Sequence, residues 1–459
     1  MERLTANDLA MLWPDDLGWP QDIGALTVFD GNSVVDGQGH FSIGDARSVI
    51  ERRLALIPQF RRVLLVPRKG LGWPLWVDAT GVDLTYHVHM LELPAPGDEH
   101  QLLLAVEGLR RRQWDRERPL WRMWFLTGLT DGRIGLFTRL HHTIADGVSG
   151  IAMLAAFLDT DPTASAPPVP SPIAAPRPSA GELFADNLRR RTRELAGAIV
   201  GVTRLRSKLR DLRESSPALR EAFGEERAPR TSLNRPIGVG RRLALVRSSL
   251  EAAKQIAHAQ DATVNDVLMT AMAGGLRALL LGRGEGVEGI ALRAYVPMSL
   301  HREPPGKARG NLDGMMVVRL PVGVADPIDR LRMIAAETAG RRKLRRAAGG
   351  ALFRFSLLQR LLMRLMSRQR WANTYAANVP GPTMPLYFAG ARLLELFPLV
   401  PLTGNITVGI GALSYAGQFN ITVVADEDAC PDIDMCAQGI QDALNSLATA
   451  LIPADRNNR

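Results

Sequence analysis

The strongest hydrophobic pattern in the chain is the mostly apolar run 133–140, which carries no helical stripe and reads as a β-strand. His141-His142-Thr143-Ile144-Ala145-Asp146-Gly147 follows it directly, and then the apolar stretch 148–158, which reads as a buried helix. Asp146-Gly147 is a turn dipeptide, since glycine takes positive φ without steric cost. The second histidine is therefore expected in a strand-turn-helix corner. Upstream, the pattern predicts strands at 23–29, 60–66 and 75–77, and helices at 4–13, 49–56 and 99–113. His87 and His89 lie two apart on a strand-like run and are expected to share one face, in a surface or interface role.

Downstream, Thr263 is a good N-cap, and Asp266 three residues on completes a capping-box-like start for a helix through Leu281. Asn378-Val379-Pro380-Gly381-Pro382 reads as a loop fixed by proline and glycine. The apolar stretch 393–413 is broken by Pro398, Pro401, Gly404 and Asn405 and reads as short strands. Segments 407–413 and 418–424 are expected to pair as a hairpin around Tyr415-Ala416-Gly417, and 434–451 to close the chain with a helix. Between residues 160 and 180 the composition is dominated by Pro, Ala and Ser, which favours extended chain. The expected organisation is thus a lobe at 1–159, a linker and basic helix at 160–230, and a second lobe at 231–459.

Composition adds compartment and surface character. The 459 residues are 46% hydrophobic and 22% charged, ordinary for a globular protein. Two cysteines, Cys430 and Cys436, offer no disulfide framework and suit a reducing compartment. The first residues lack the basic and apolar regions of a secretory signal, and no apolar run is expected to span a bilayer. A cytoplasmic chain follows. The net charge of +9 is concentrated in two windows. Residues 182–213 hold nine Arg and Lys against four acids, and residues 341–370 hold ten with no acid. In the second window, Leu358, Leu361, Leu362, Leu365 and Met366 share one helical face, and Arg360, Arg364 and Arg368 another. Such a helix either lies in an anionic membrane interface or packs its apolar face on the protein core. No nucleic-acid-binding motif accompanies the charge, which argues against nucleic acid as a partner.

The chemistry points to the histidine pair. An imidazole titrating near neutral pH is suited to take a proton from an alcohol as that alcohol attacks a thioester. No protein nucleophile is convincing: Gly147-Val148-Ser149-Gly150 is one residue short of the G-x-S-x-G elbow, and neither cysteine has a motif around it. A histidine pair is often merely structural. A metal site would need a third ligand, and no H-E-x-x-H pattern exists. Asn265 is not required by the cap that explains Thr263 and Asp266, so it is a candidate donor to a developing oxyanion.

HHxxxDG resembles the signature of the CoA-dependent acyltransferase superfamily, and the flanking sequence resembles bacterial wax ester synthase/diacylglycerol acyltransferases. Pro119-Leu120-Trp121, Thr263-Val264-Asn265-Asp266, Val296-Pro297-Met298-Ser299, Gly310-Asn311 and Asn378-Val379-Pro380-Gly381-Pro382 match family blocks in family order. Two local departures are Arg122, where many members carry an acid, and Thr143, where alanine is usual. The resemblance implies an α/β fold of two lobes, mixed sheets flanked by helices, with the active site between them. It implies His142 as general base and His141 and Asp146 as supports, with an arginine partnering Asp146. Acyl-CoA would be the co-substrate, with no metal and no other cofactor. Diacylglycerol is the first choice of acceptor and a long-chain alcohol the second, and the setting would be the inner membrane face or lipid inclusions.

Overall fold

The structure, a computed structural model, describes residues 2–34, 40–68, 70–164, 174–202, 227–299, 313–343 and 365–452. Gly310-Asn311 and most of the basic window 341–370 lie outside the described residues.

The N-terminal part supplies strands β1 (Glu2–Arg3), β2 (Asp22–Asp30), β3 (Arg62–Leu65), β4 (Leu75–Asp78), β5 (Val88–Glu92), β6 (Trp121–Thr127) and β7 (Arg133–His141). The C-terminal part supplies β8 (Arg241–Ser249), β9 (Leu292–Ser299), β10 (Asp313–Leu320), β11 (Thr374–Pro380), β12 (Tyr387–Phe388), β13 (Ala391–Leu399), β14 (Val408–Tyr415) and β15 (Gln418–Asp426). Among the described residues they form two mixed six-stranded sheets, β12-β13-β2-β7-β6-β5 and β10-β9-β11-β14-β15-β8, and a small sheet β1-β4-β3. The fold is α/β, as expected. Segment 231–459 serves both large sheets, because β13 pairs antiparallel with β2, from Leu393 opposite Phe29 to Leu399 opposite Gly24.

The core of the second sheet is built on the helix Val264–Gly282, which begins with the full Thr263–Asp266 capping box and is buried over most of its length. By length and composition this helix is apolar enough to cross a membrane, contrary to the expectation that no run would be. Here its apolar faces are covered by protein, with Val267, Met272, Leu276, Leu279 and Leu280 in the core. The closing helix, Ile433–Leu451, packs on it where glycines remove side-chain bulk. A Cβ on Gly275 would stand 2.5 Å from the Cys436 carbonyl oxygen, and one on Gly439 would stand 2.7 Å from the Ala278 Cβ.

Two further expectations are corrected. His87 and His89 do not share a face, because Asp83 caps a helical turn, Leu84–His87, and the strand begins only at Val88. His87 stacks on Trp121 at 4.3 Å between ring centroids and His89 on Trp124 at 5.5 Å, in different core clusters. Both tryptophans are core residues. The segment starting at Asn378 is not wholly a loop: Asn378, Val379 and Pro380 end strand β11, paired in parallel with β14. Proline is tolerated at that strand terminus, where few ladder bonds remain to be made. The hairpin β14–β15 turns through Ala416 and Gly417, both at positive φ.

Gly24 shows how tightly the strands around the site approach. A Cβ there would meet the Thr138 carbonyl oxygen at 2.0 Å, main chain that cannot swing aside. Gly24→Ala is expected to destabilise the protein by about 1–3 kcal/mol, read as a lower midpoint in denaturant unfolding.

Candidate active site

The site starts from the β2–β7 ladder. Asp22 pairs with His141 at its end, and two further main-chain bonds prolong it: His141 N–H donates to Leu120 O at 3.0 Å and His142 N–H to Gln21 O at 2.9 Å. Leu120 belongs to the Pro-Leu-Trp block, so that block lies beside the histidine pair.

Asp146 is a helix cap. Its backbone is extended, its carboxylate accepts from Ser149 N–H at 2.8 Å, and the helix Gly147–Ala155 begins after it. Gly147 is the first helical residue, and positive φ is not the reason for glycine there, contrary to the turn-dipeptide expectation. The reason is proximity: a Cβ would stand 3.0 Å from Val379 Cγ2, carried by β11 of the other sheet.

His141 is fully buried and locked at both ring nitrogens. Nε2 lies 2.8 Å from Asp15 Oδ2, while Nδ1 accepts from Thr143 N–H at 3.1 Å and lies 2.8 Å from Thr143 Oγ1. Burial alone would raise the Asp15 pKa. The hydrogen bond from His141, with the Gln21 N–H and Arg116, outweighs it and holds Asp15 below the ordinary carboxylate range. Beneath the pair, Arg139 is buried against Asp22, Nη2 to Oδ2 at 2.7 Å, and Trp114 Nε1 donates to the other Asp22 oxygen at 2.6 Å. Removing one partner of such a pair costs about 3–5 kcal/mol. The network is therefore a strong anchor for the end of β7.

His142 lines a narrow cavity of about 60 Å³ between the two large sheets. Its walls are mostly apolar, including Ile23, Leu140, Ile151, Leu154, Val379 and Leu399, with Thr138 and Tyr375 among the polar side chains. Burial pushes the His142 pKa below its ordinary 6.5, only partly offset by a hydrogen bond to its own main chain and by the nearby Asp146 carboxylate. At neutral pH the ring is therefore uncharged and able to accept a proton. His87, by contrast, spends Nδ1–H on Trp121 O at 2.8 Å, with burial pushing its pKa down to about 4, and packs as a core side chain.

The structure brings His141, His142 and Asp146 together. Asn265 stands apart: it is exposed, and its Oδ1 accepts from Asn378 Nδ2 at 2.7 Å. Tyr375, Ala377 and Val379 of β11 line the cavity, so Asn378 points to the opposite face of that strand. Asp266 is engaged structurally, accepting from Thr338 Oγ1 at 2.7 Å as well as in the cap. Among the described residues, no three His, Cys, Asp or Glu side chains gather as a metal-binding group. Sequence reasoning missed Asp15, Asp22 and Trp114. The available signal was Arg139 inside an apolar strand, since a buried guanidinium demands a carboxylate.

Comparison with known proteins decides the family. The wax ester synthase/diacylglycerol acyltransferase catalytic domain matches residues 4–268, and the C-terminal domain of the same family matches residues 309–448. The chain belongs to the wax ester synthase/diacylglycerol acyltransferase family. A probable diacylglycerol O-acyltransferase of Mycobacterium tuberculosis is 31% identical over 97% of this chain and 96% of its own length. A second from the same organism is 29% identical over 98% of this chain and 100% of its own. Among solved structures, the wax ester synthase/diacylglycerol acyltransferase from Marinobacter aquaeolei matches with a TM-score of 0.68 at 24% identity, covering 98% of this chain and 100% of that one. The starter condensation domain of rhizomide synthetase, solved with C8-CoA and Leu-SNAC, shares the fold at a TM-score of 0.59 and 16% identity, covering 100% of this chain and 96% of that one.

For this member of the wax ester synthase/diacylglycerol acyltransferase family, the lowered His142 pKa carries a sign. With His142 as the base that the HHxxxDG resemblance implies, only the neutral ring can take the proton, so kcat/KM should be flat through neutral pH and fall as pH drops through the folded pKa. A pH–rate profile is expected to place the acid-limb midpoint below 6.5; a midpoint above it would contradict the burial of the ring.

Proposed function

We propose that the protein is an acyl-CoA-dependent diacylglycerol O-acyltransferase that forms triacylglycerol. The observation that carries this is a neutral, rigidly held His142 facing an apolar cavity between the sheets. The acceptor hydroxyl gives its proton to His142 as its oxygen attacks the thioester carbonyl, and CoA leaves as the thiolate that recovers the proton. The apolar walls suit acyl chains, and the relatives at about 30% identity named for diacylglycerol favour that acceptor. A long-chain alcohol is the second reading, supported by the wax ester activity in the name of the Marinobacter structure.

A peripheral position on a membrane or lipid inclusion, facing the cytoplasm, fits the surface. The helix Ala180–Val202 buries Leu183 and Asn187 but exposes Phe184 and Leu188, with Arg189, Arg191 and Arg193 also exposed. An exposed apolar pair among arginines suits an anionic lipid surface.

Release of free CoA from acyl-CoA should be strongest with diacylglycerol across a panel of diacylglycerols, fatty alcohols and no acceptor. His142→Ala should abolish it while leaving the circular dichroism spectrum native. Preference for fatty alcohol would turn the reading to wax ester synthesis, and silence with both acceptors would overturn it. Sedimentation with anionic liposomes should weaken when Phe184 and Leu188 are both changed to Ser; unchanged sedimentation would remove this helix from the membrane contact.

A further inference from the structure

We propose that Asp15 is a positioning residue for the reaction, acting through His141 and Gln21 to fix both neighbours of the base. Its two carboxylate oxygens are divided between them. Oδ2 faces His141 Nε2 at 2.8 Å, and Oδ1 accepts from Gln21 N–H at 3.0 Å. The Gln21 carbonyl in turn accepts the His142 N–H at 2.9 Å. One side chain from the short helix Trp13–Leu17 therefore sets both the ring before His142 and the strand residue that binds the His142 main chain.

The proton inventory fixes the direction of every bond. A backbone N–H only donates, so the Thr143 N–H on His141 Nδ1 requires that nitrogen to be bare. The His141 proton must then sit on Nε2 and be donated to Asp15. A carboxylate can accept from both His141 and Gln21, whereas an amide cannot, because its NH₂ would face one of the two donors. Arg116, with a nitrogen 3.6 Å from Oδ2, and the edge of the Trp114 ring, 6.1 Å from His141 between centroids, close the surroundings. The Gln21 side chain extends the clamp across the molecule by donating to Thr403 Oγ1 at 3.0 Å, in the segment between β13 and β14. Thr143 adds a hydroxyl on His141 Nδ1 that an alanine in its place would lack.

The proposal rests on His142 as the base, and the tests separate the two claims. Turnover by His142→Ala would remove the base itself, whatever Asp15 does. In the wild-type protein, ¹⁵N-histidine NMR, assigned with His141→Gln, should show His141 protonated on Nε2 with Nδ1 bare. An Nδ1–H or doubly protonated ring overturns the assignment, and this reading needs no Asp15 variant to fold. In steady-state kinetics Asp15→Asn should lose on the order of 100-fold in kcat, as expected of a displaced reacting group. KM for acyl-CoA should stay within about 2-fold, and the His141 signals should leave the Nε2–H pattern. The double variant Asp15→Asn/His141→Gln should lose no more than the poorer single, since both act along one path. A folded Asp15→Asn with kcat within about 2-fold of wild type, or losses that multiply in the double variant, would overturn the proposal.

Discussion

Strand β2 is the member on which the catalytic region depends. It hydrogen-bonds β7 along one edge and β13 along the other, so one N-terminal strand joins the histidine-bearing strand to a strand from the far end of the chain. One end of this ladder carries the polar machinery: Asp22 holds Arg139, Gln21 holds the His142 main chain, and Asp15 holds His141. Such a ladder needs many main-chain bonds to break before the base can move. That is the rigidity a general base requires, because proton transfer falls steeply with misplacement.

The same ladder explains why the cavity is apolar and the base uncharged. β2, β7, β11, β13, β14 and the helix Gly147–Ala155 each contribute apolar or glycine positions to one wall or another. Desolvation disfavours imidazolium there, which keeps the His142 ring unprotonated at neutral pH. The charged groups stand behind the wall rather than in it. Asp22 pairs with Arg139, and Asp15 accepts from His141, so each buried carboxylate has a partner.

Asp146 and Gly147 show how a short motif divides its labour. The aspartate caps a helix, and the glycine lets that helix start against Val379 of the opposite sheet. Neither needs to touch a substrate for the motif to be intact. Asn265 shows the converse, for freedom from a capping role did not place it at the cavity; its side chain is bound to Asn378 on the far face of β11.

The sequence alone determined the local elements and singled out the residue proposed as the base. An apolar run without helical period made β7, Thr263 with Asp266 made a capped helix, and a seven-residue motif singled out His142, because periodicity, capping and motif spacing are short-range properties. Only the tertiary structure decided that β13 would join the first sheet rather than the second, that β11 would carry Asn378 as a strand, and that His87 would turn into the core. Each depends on partners tens to hundreds of residues away. Asp15 is the clearest case: an aspartate 126 residues from His141 has no local signal, and its role exists only where the two meet.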